Sequence, residues 1–594
     1  MISVLINWVY AFFTTYVIGY FALNRAYKFF KHDMQIGIMS SVMGGLAITT
    51  VYAGLFSVFY KVGVLANIIM ILVCTFFVWI DRERYIELLR KLREGTIINE
   101  LLGRGAERTA KILVFAVFFA AALFFTTEGN FFSDSGYYHE QSIRWIEEFG
   151  TVKGSVHILK RLAYNSCYFC QCALFSMREI WGQSLHCLSG FYGMIVMTYA
   201  CIGFNKSVRT NVLRLAPFAY FILLCSEITS PASDYPLVFS VFYVVIRWFE
   251  LLDEGEEHYS PYALLALFVV FIISIKLTVG CLVLIVIKPA ITMIKEKKIK
   301  EIVVSIISGI IILLPYFIRN YIICGWLIYP FTKIDIFNPD WKLPMQHVQS
   351  DADEIKVWGR GMGQIGGQVT DSIKVWLPHW WEYMSIPDRM IVTGAIAVAI
   401  VYIIYRIFKL FKCLFIKNNS VIDCENEDNS GNSNRRKTEN MDRYIFEIAL
   451  ILSLSYWFFE SPLFRYGVCY IFTAMFYMLG DMLNDAWKSG VSVRIIACVV
   501  CIACLIPFGN GMKEYFKWNY ECIRYYSDYK YFVKQEDYPK VEYGTTTING
   551  VEFYYPAEEL GQIGYHIFPA LWYSGTSNIE SRGDKLTDGY RYKE

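Results

Sequence analysis

Charge is scarce in this chain. Asp, Glu, Lys and Arg make up 18% of its 594 residues, against about 25% in soluble proteins. The net charge is only +2, so there is no broad basic face for nucleic acid. A loop-borne cysteine framework is also missing. Most of the 16 cysteines sit inside apolar stretches (Cys74, Cys187, Cys201, Cys225, Cys281, Cys498, Cys501, Cys504), where they act as small buried hydrophobes. Cys167, Cys170 and Cys172 form CYFCQC, but no second Cys or His pair stands at zinc-finger spacing, so no metal ligands are assigned. The glycine-rich stretch GRGMGQIGG at 359–367 lacks the lysine of a phosphate-binding loop. The first apolar stretch has no basic leader and no small-residue cleavage site, and reads as a retained helix. No internal repeat is evident.

What the chain has in abundance is apolar length. Hydrophobic residues reach 55% and aromatics 17%, which suits a long membrane–water perimeter. A spanning helix needs about 20 apolar residues, somewhat fewer inside a bundle. About fourteen spans are predicted: 2–24, 36–59, 63–80, 112–127, 184–204, 213–228, 236–251, 262–275, 278–294, 302–319, 389–411, 444–460, 467–487 and 492–509. The fold class is thus an all-α polytopic membrane protein. Lys and Arg in the short loops set the orientation. Arg25, Lys28 and Lys31, the basic loop at 81–111, the lysines at 295–300 and the basic residues of 409–437 fall inside. Both termini and the loops 128–183 and 321–388 then fall outside.

This gives five regions: N-terminal spans and a cytoplasmic loop (1–111), a core (112–417), a polar disordered linker (418–442), C-terminal spans (443–509) and an external tail (510–594). Alternating aromatics and an Asn-Gly turn at 549–550 point to a small α+β or irregular cap in the tail. Residues 159–178 are too short of apolar length to cross, and read as an interfacial or re-entrant helix.

The candidate chemistry gathers in the loop that follows span 112–127. Asp134 precedes a helix whose Tyr138, Ser142, Trp145 and Phe149 form one stripe, suited to lying in the interface. Glu140 with Arg144, and Arg144 with Glu148, are supporting pairs four residues apart. Asp134 reads either as a helix N-cap or as a general base on a sugar or lipid hydroxyl. His139 is either a surface histidine or part of the same site. Lys160, Arg161 and Asn165 begin the next helix; the basic pair either snorkels into headgroups or, through the forked arginine, binds phosphate. Asp234, in ITSPASDYP, is a second acid or a turn residue. Lys276 interrupts FIISIKLTVG, where a lysine is costly unless it meets a cavity or an anion. Arg319, Asn320 and Arg465 stand at the outer ends of later spans, on the face assigned to Asp134.

These residues resemble the GT-C superfamily of membrane glycosyltransferases. The pattern Pro315, Tyr316, Arg319, Asn320, Gly325, Pro330 is similar to one found before a late external loop in that group. A bacterial multispan family with DxGxYHxQxIxWxxxxGxVxG, RLxxNS and SPxxRYG segments is similar over residues 134–154, 161–166 and 461–467. The chain departs in placing its acid after about four spans and in following Asp134 with Ser135 where an Asp-Glu pair is usual. The resemblance implies a sugar donor on a polyprenyl phosphate at the outer leaflet, with Asp134 as base. Tyr138, His139, Arg161, Asn165, Asp234, Lys276, Arg319, Asn320 and Arg465 are then substrate-binding candidates. A divalent cation is compatible with such chemistry. The acceptor is a surface glycan, lipid or protein. Rival classes are a polysaccharide polymerase or ligase, a lipid-linked sugar flippase, and a non-catalytic assembly protein.

Overall fold

In a computed structural model of the chain, the described residues are 1–204, 207–363, 366–367, 369–419, 430–526, 530–558, 561–572 and 578–593, with side chains of 412–440 left aside. Ten helices are long and apolar enough to cross a membrane, and an eleventh candidate is the helix Val64–Ile80, which bends by 84° into Arg82–Arg93. Two shorter apolar helices, Leu188–Ile202 and Tyr259–Ile275, pack among them. The architecture is an all-α multi-pass bundle with very little sheet.

Tight helix crossings hold the bundle. Ile2–Phe29 and Ile38–Phe59 meet through Gly19 and Gly45: a Cβ on Gly19 would lie 1.8 Å from the Ser41 carbonyl oxygen, and one on Gly45 would lie 1.8 Å from that of Thr15. Small residues are the usual device for such close approach between apolar helices.

Charge is segregated to the two ends. At one end Asp481 is paired with Arg443 and lies 3.7 Å from Arg209, while Arg214 pairs with Glu250 and Lys288 with Asp442. Asp481 lies on the helix Phe464–Trp487, about 24 Å along it from Arg465 at a 1.5 Å rise per residue. Arg465, both chain termini and the tail occupy the other end.

At that end the loop after Gly105–Thr127 is folded inward. The helix Glu140–Glu148 is buried on most of its surface. Its aromatic stripe does not face lipid, as the sequence suggested: the Trp145 ring packs 4.9 Å from Phe568 and 6.5 Å from Tyr590 of the tail. Of the two expected pairs, Arg144–Glu148 forms at 2.8 Å, whereas Glu140 is buried with one carboxylate oxygen unpartnered. Cys167–Phe175 is a short buried helix, with Ser166 accepting from the Tyr168 amide at its start. Its three cysteines are buried and free.

The tail begins later than expected, because the last long helix continues to Tyr525. It then threads beside the N-terminus, where Ile2 and Ser3 amides donate to the Phe532 and Val533 carbonyls. A hairpin, Tyr543–Ile548 with Val551–Pro556, turns at Asn549–Gly550, where both residues have positive φ, as such a turn requires. A second short pair joins Ile579–Ser581 to Tyr590–Tyr592. The stretch read as a linker is helical up to Asn419 and again from Ser430; residues 420–429 lie outside the described ones.

Replacing Gly45 by Val should separate the first two helices and destabilise the bundle by about 3 kcal/mol or more, overpacking at its severe end. A fall of several degrees in melting midpoint in detergent checks this; an unchanged midpoint contradicts the close crossing.

Candidate functional site

The buried loop and three helix ends enclose a cavity of about 1170 Å³. Asp134, Tyr138, Arg161, Asp234, Lys276 and Arg465 all line it. Residues far apart in sequence thus meet at one end of the bundle.

Asp134 stands before the wide helical turn Ser135–His139, yet its side chain makes no cap hydrogen bond. Its carboxylate instead receives a hydrogen bond from Arg465, Nη2 to Oδ2, at 2.6 Å. Arg465 reaches this point from the first turn of Phe464–Trp487. Its guanidinium lies over Phe132 at 4.4 Å and over Tyr466 at 4.9 Å, and also donates to the Tyr466 hydroxyl at 3.0 Å. The two side chains are 21% and 28% exposed, so the pair remains reachable from the cavity. Burial opposes ionisation of Asp134, but the Arg465 charge, followed by His139, the Arg465 hydrogen bond and Arg161, outweighs it. The carboxyl is held below its usual value.

A second pair stands beside the first. Asp234 opens the helix Asp234–Glu254, where the positive end of the helix favours an acid, and it pairs with Lys276. Lys276 sits in extended backbone between Tyr259–Ile275 and the 3₁₀ stretch Leu277–Val286. That break is pinned by Ser166, whose hydroxyl donates to the Ile275 carbonyl at 2.7 Å. The Lys276 ammonium lies 3.9 Å from the centre of the Tyr466 ring. Tyr466 therefore joins both pairs, with one cation on its hydroxyl and another on its face. The arrangement is neutral overall, and offers two cations and two carboxylates to whatever enters.

Four expected residues do not line the cavity. Arg319 is buried and hydrogen-bonded within the fold: Nε donates to Asn165 Oδ1 at 2.9 Å, and Nη1 donates to Ser57 and Thr151 hydroxyls at 2.6 Å each. Asn165, in left-handed backbone, donates to Asn320 Oδ1 at 2.9 Å and to the Tyr316 carbonyl at 3.1 Å. Arg319, Asn320 and Asn165 thus form a structural knot behind the wall. His139 is buried too, 3.4 Å from the Ser135 hydroxyl and packed on Tyr138 and Phe169. Burial pushes its pKa down to about 4 although Asp134 and Asp234 pull the other way, so it is neutral near pH 7.

Sequence reasoning passed over several lining residues. Tyr466 follows Arg465 directly, and that adjacency was the available signal. Glu227, whose Oε2 is 3.3 Å from the Tyr235 hydroxyl, and Trp572, from the tail, carried none. Among the described residues no three His, Cys, Asp or Glu groups gather as a metal cage, and Asp134 and Asp234 already face cations.

A family model described as a domain of unknown function (DUF8201) matches residues 1–472, and the chain belongs to that family. No curated protein and no solved structure matches it.

Two outcomes are expected. Asp134→Asn and Arg465→Gln should each destabilise the protein, while the double variant costs less than their sum, with a coupling of about 1–3 kcal/mol from thermal melts; additivity contradicts a direct pair. For His139 the folded pKa lies below the ordinary 6.5. The unfolded state therefore takes up a proton first as pH falls, and stability drops between pH 6.5 and about 4, by up to ~3 kcal/mol. Melting midpoints across that range should fall less steeply in His139→Gln; equal slopes contradict a buried neutral ring.

Proposed function

We propose that this DUF8201 protein is an integral membrane glycosyltransferase with a GT-C-like bundle of about fourteen spans. It moves a sugar from a polyprenyl-phosphate donor to a surface acceptor on the extracytoplasmic face. The observation that carries the reading is the joined double pair, Asp134–Arg465 and Asp234–Lys276, on the wall of one cavity. Orientation by basic loops, the resemblance around Asp134 and Arg465, and the apolar surroundings of the cavity support it as well.

The chemistry follows from the pairing. The phosphate of the lipid donor is drawn to Arg465 and Lys276, with the arginine fork suited to two of its oxygens. By competing for Arg465, the phosphate loosens that cation from Asp134. Asp134 is already ionised, so it is ready to take a proton. The acceptor hydroxyl attacks the anomeric carbon, and its proton passes to Asp134. The carbon–oxygen bond to phosphate breaks, and the electron pair leaves with the phosphate oxygen. The two cations stabilise the charge gained there. Asp234 holds Lys276 in place across its break in the helix. Attack opposite the leaving phosphate inverts the anomeric centre. Arg319 has no contact with substrate in this scheme; it anchors Asn165 and the helix behind the wall.

The test is sugar transfer in proteoliposomes from a polyprenyl-phosphohexose to a surface-glycan acceptor. Asp134→Asn should lower the rate by about 10²–10⁴-fold, the range for losing a general base, while polyprenyl phosphate still binds. Arg465→Gln should weaken that binding. Wild-type rates in Asp134→Asn would overturn the proposal.

A further inference from the structure

The same cavity has a second chemical end, built partly by the tail. Trp572 lines it together with Tyr137 and Arg161. Trp572 lies beyond the residues matched by the family, whereas Asp134, Arg465, Asp234, Lys276 and Tyr466 all lie within them. The tail is fixed to the catalytic loop close to Asp134: the Gly136 carbonyl accepts from both Ile563 and Gly564 amides at 2.8 Å. Gln141 donates to the Gly564 and Ile567 carbonyls at 2.8 and 2.7 Å. A Cβ on Gly136 would stand 2.4 Å from Gln562 Oε1, so the loop and the tail approach closely here. Trp572 is therefore held in register with Asp134.

The ring geometry leaves room for a ligand. The Tyr137 and Trp572 planes differ by 2°, with centroids 5.6 Å apart. The Arg161 guanidinium lies 4.2 Å from the centre of the Trp572 ring and 5.6 Å from that of Tyr137. If Tyr137 and Arg161 lay on opposite faces of the indole they would be separated by about 7 Å or more, two van der Waals contacts. They therefore share one face. Among the described residues, no ring or cation stacks on the other face, and the half-buried indole borders the cavity.

Charge tells what this end suits. Arg161 is paired with Glu354 at 3.5 Å, and the neighbouring Lys160 with Asp351 at 3.2 Å. Asp351 also accepts from the Tyr329 hydroxyl at 2.9 Å. With these pairs in place this end carries no net charge from Lys160 and Arg161, and it offers an aromatic plane and hydrogen-bonding groups. A pyranose ring presents apolar C–H groups on one face and hydroxyls at its edge, which matches both features.

We propose that Trp572, with Tyr137 and Arg161 behind it, is the acceptor subsite, and that the acceptor is an uncharged oligosaccharide whose terminal ring stacks on the other indole face. This rests on the transferase reading above and assigns its acceptor class. The family-matched residues would handle the phosphate, and the tail would choose the glycan.

The test uses full-length protein in nanodiscs on a printed array of neutral and acidic oligosaccharides, with polyprenyl phosphate binding followed by native mass spectrometry. Wild type should retain neutral oligosaccharides. Trp572→Ala should weaken that binding about tenfold or more, equivalent to 1.4 kcal/mol, while Trp572→Phe keeps most of it. Polyprenyl phosphate binding should be unchanged in both, which separates loss of the subsite from loss of fold. Equal glycan binding in Trp572→Ala, a preference for acidic glycans, or no oligosaccharide bound by wild type would each overturn the assignment. The array does not depend on turnover. Absence of sugar transfer by the wild type would therefore sink the transferase reading separately.

Discussion

A carboxylate and a guanidinium 331 positions apart are held in contact at the wall of a cavity, and most of the surrounding structure serves to keep them there. Half-buried charges of this kind are costly to leave unpaired. The wide turn after Asp134, the aromatic rings under Arg465, and the shared Tyr466 all constrain the pair to one geometry. Because each partner neutralises the other, the cavity is tolerable in the resting protein. In the proposed transferase an incoming phosphate exchanges for Asp134 at Arg465, which would turn a stabilising contact into a usable one.

The apolar middle of the bundle makes this concentration possible. Ion pairs such as Arg443–Asp481 and Lys288–Asp442 tie the helices together at the end away from the cavity. The tail closes over the near end and is itself threaded beside Ile2 and Ser3. Arg319 shows the same economy: a buried arginine that satisfies Ser57, Thr151 and Asn165 joins three segments behind the wall without facing ligand. Two arginines at similar places on the sequence thus do different work, one structural and one exposed to the cavity.

Much of this was legible in the sequence, and the exceptions have physical causes. Apolar runs identified the multi-pass helical class, and the interrupting Lys276 and the acids Asp134 and Asp234 marked one end of the bundle, because charges within apolar stretches are rarely idle. The Asn-Gly turn announced the hairpin in the tail. What could not be read was rotation about helix axes. Arg319 and Arg465 both lie at span ends, and only tertiary packing decides that one turns inward to Asn165 and the other to Asp134. The aromatic stripe of Trp145 and Phe149 was equally ambiguous: a half-apolar helix packs against lipid or protein by the same rule, and here Phe568 and Tyr590 of the tail supply the protein. Trp572 had no local signature, because it is brought to the cavity only where the tail meets the loop at Gly136.

The most direct measurement is an experimental structure of the protein in nanodiscs with polyprenyl phosphate bound. The account requires the phosphate to lie within hydrogen-bonding distance of both Arg465 and Lys276, with the Asp134–Arg465 contact lengthened and the lipid chain leaving the cavity toward the membrane. Phosphate bound elsewhere on the protein, with both ion pairs intact, would contradict it.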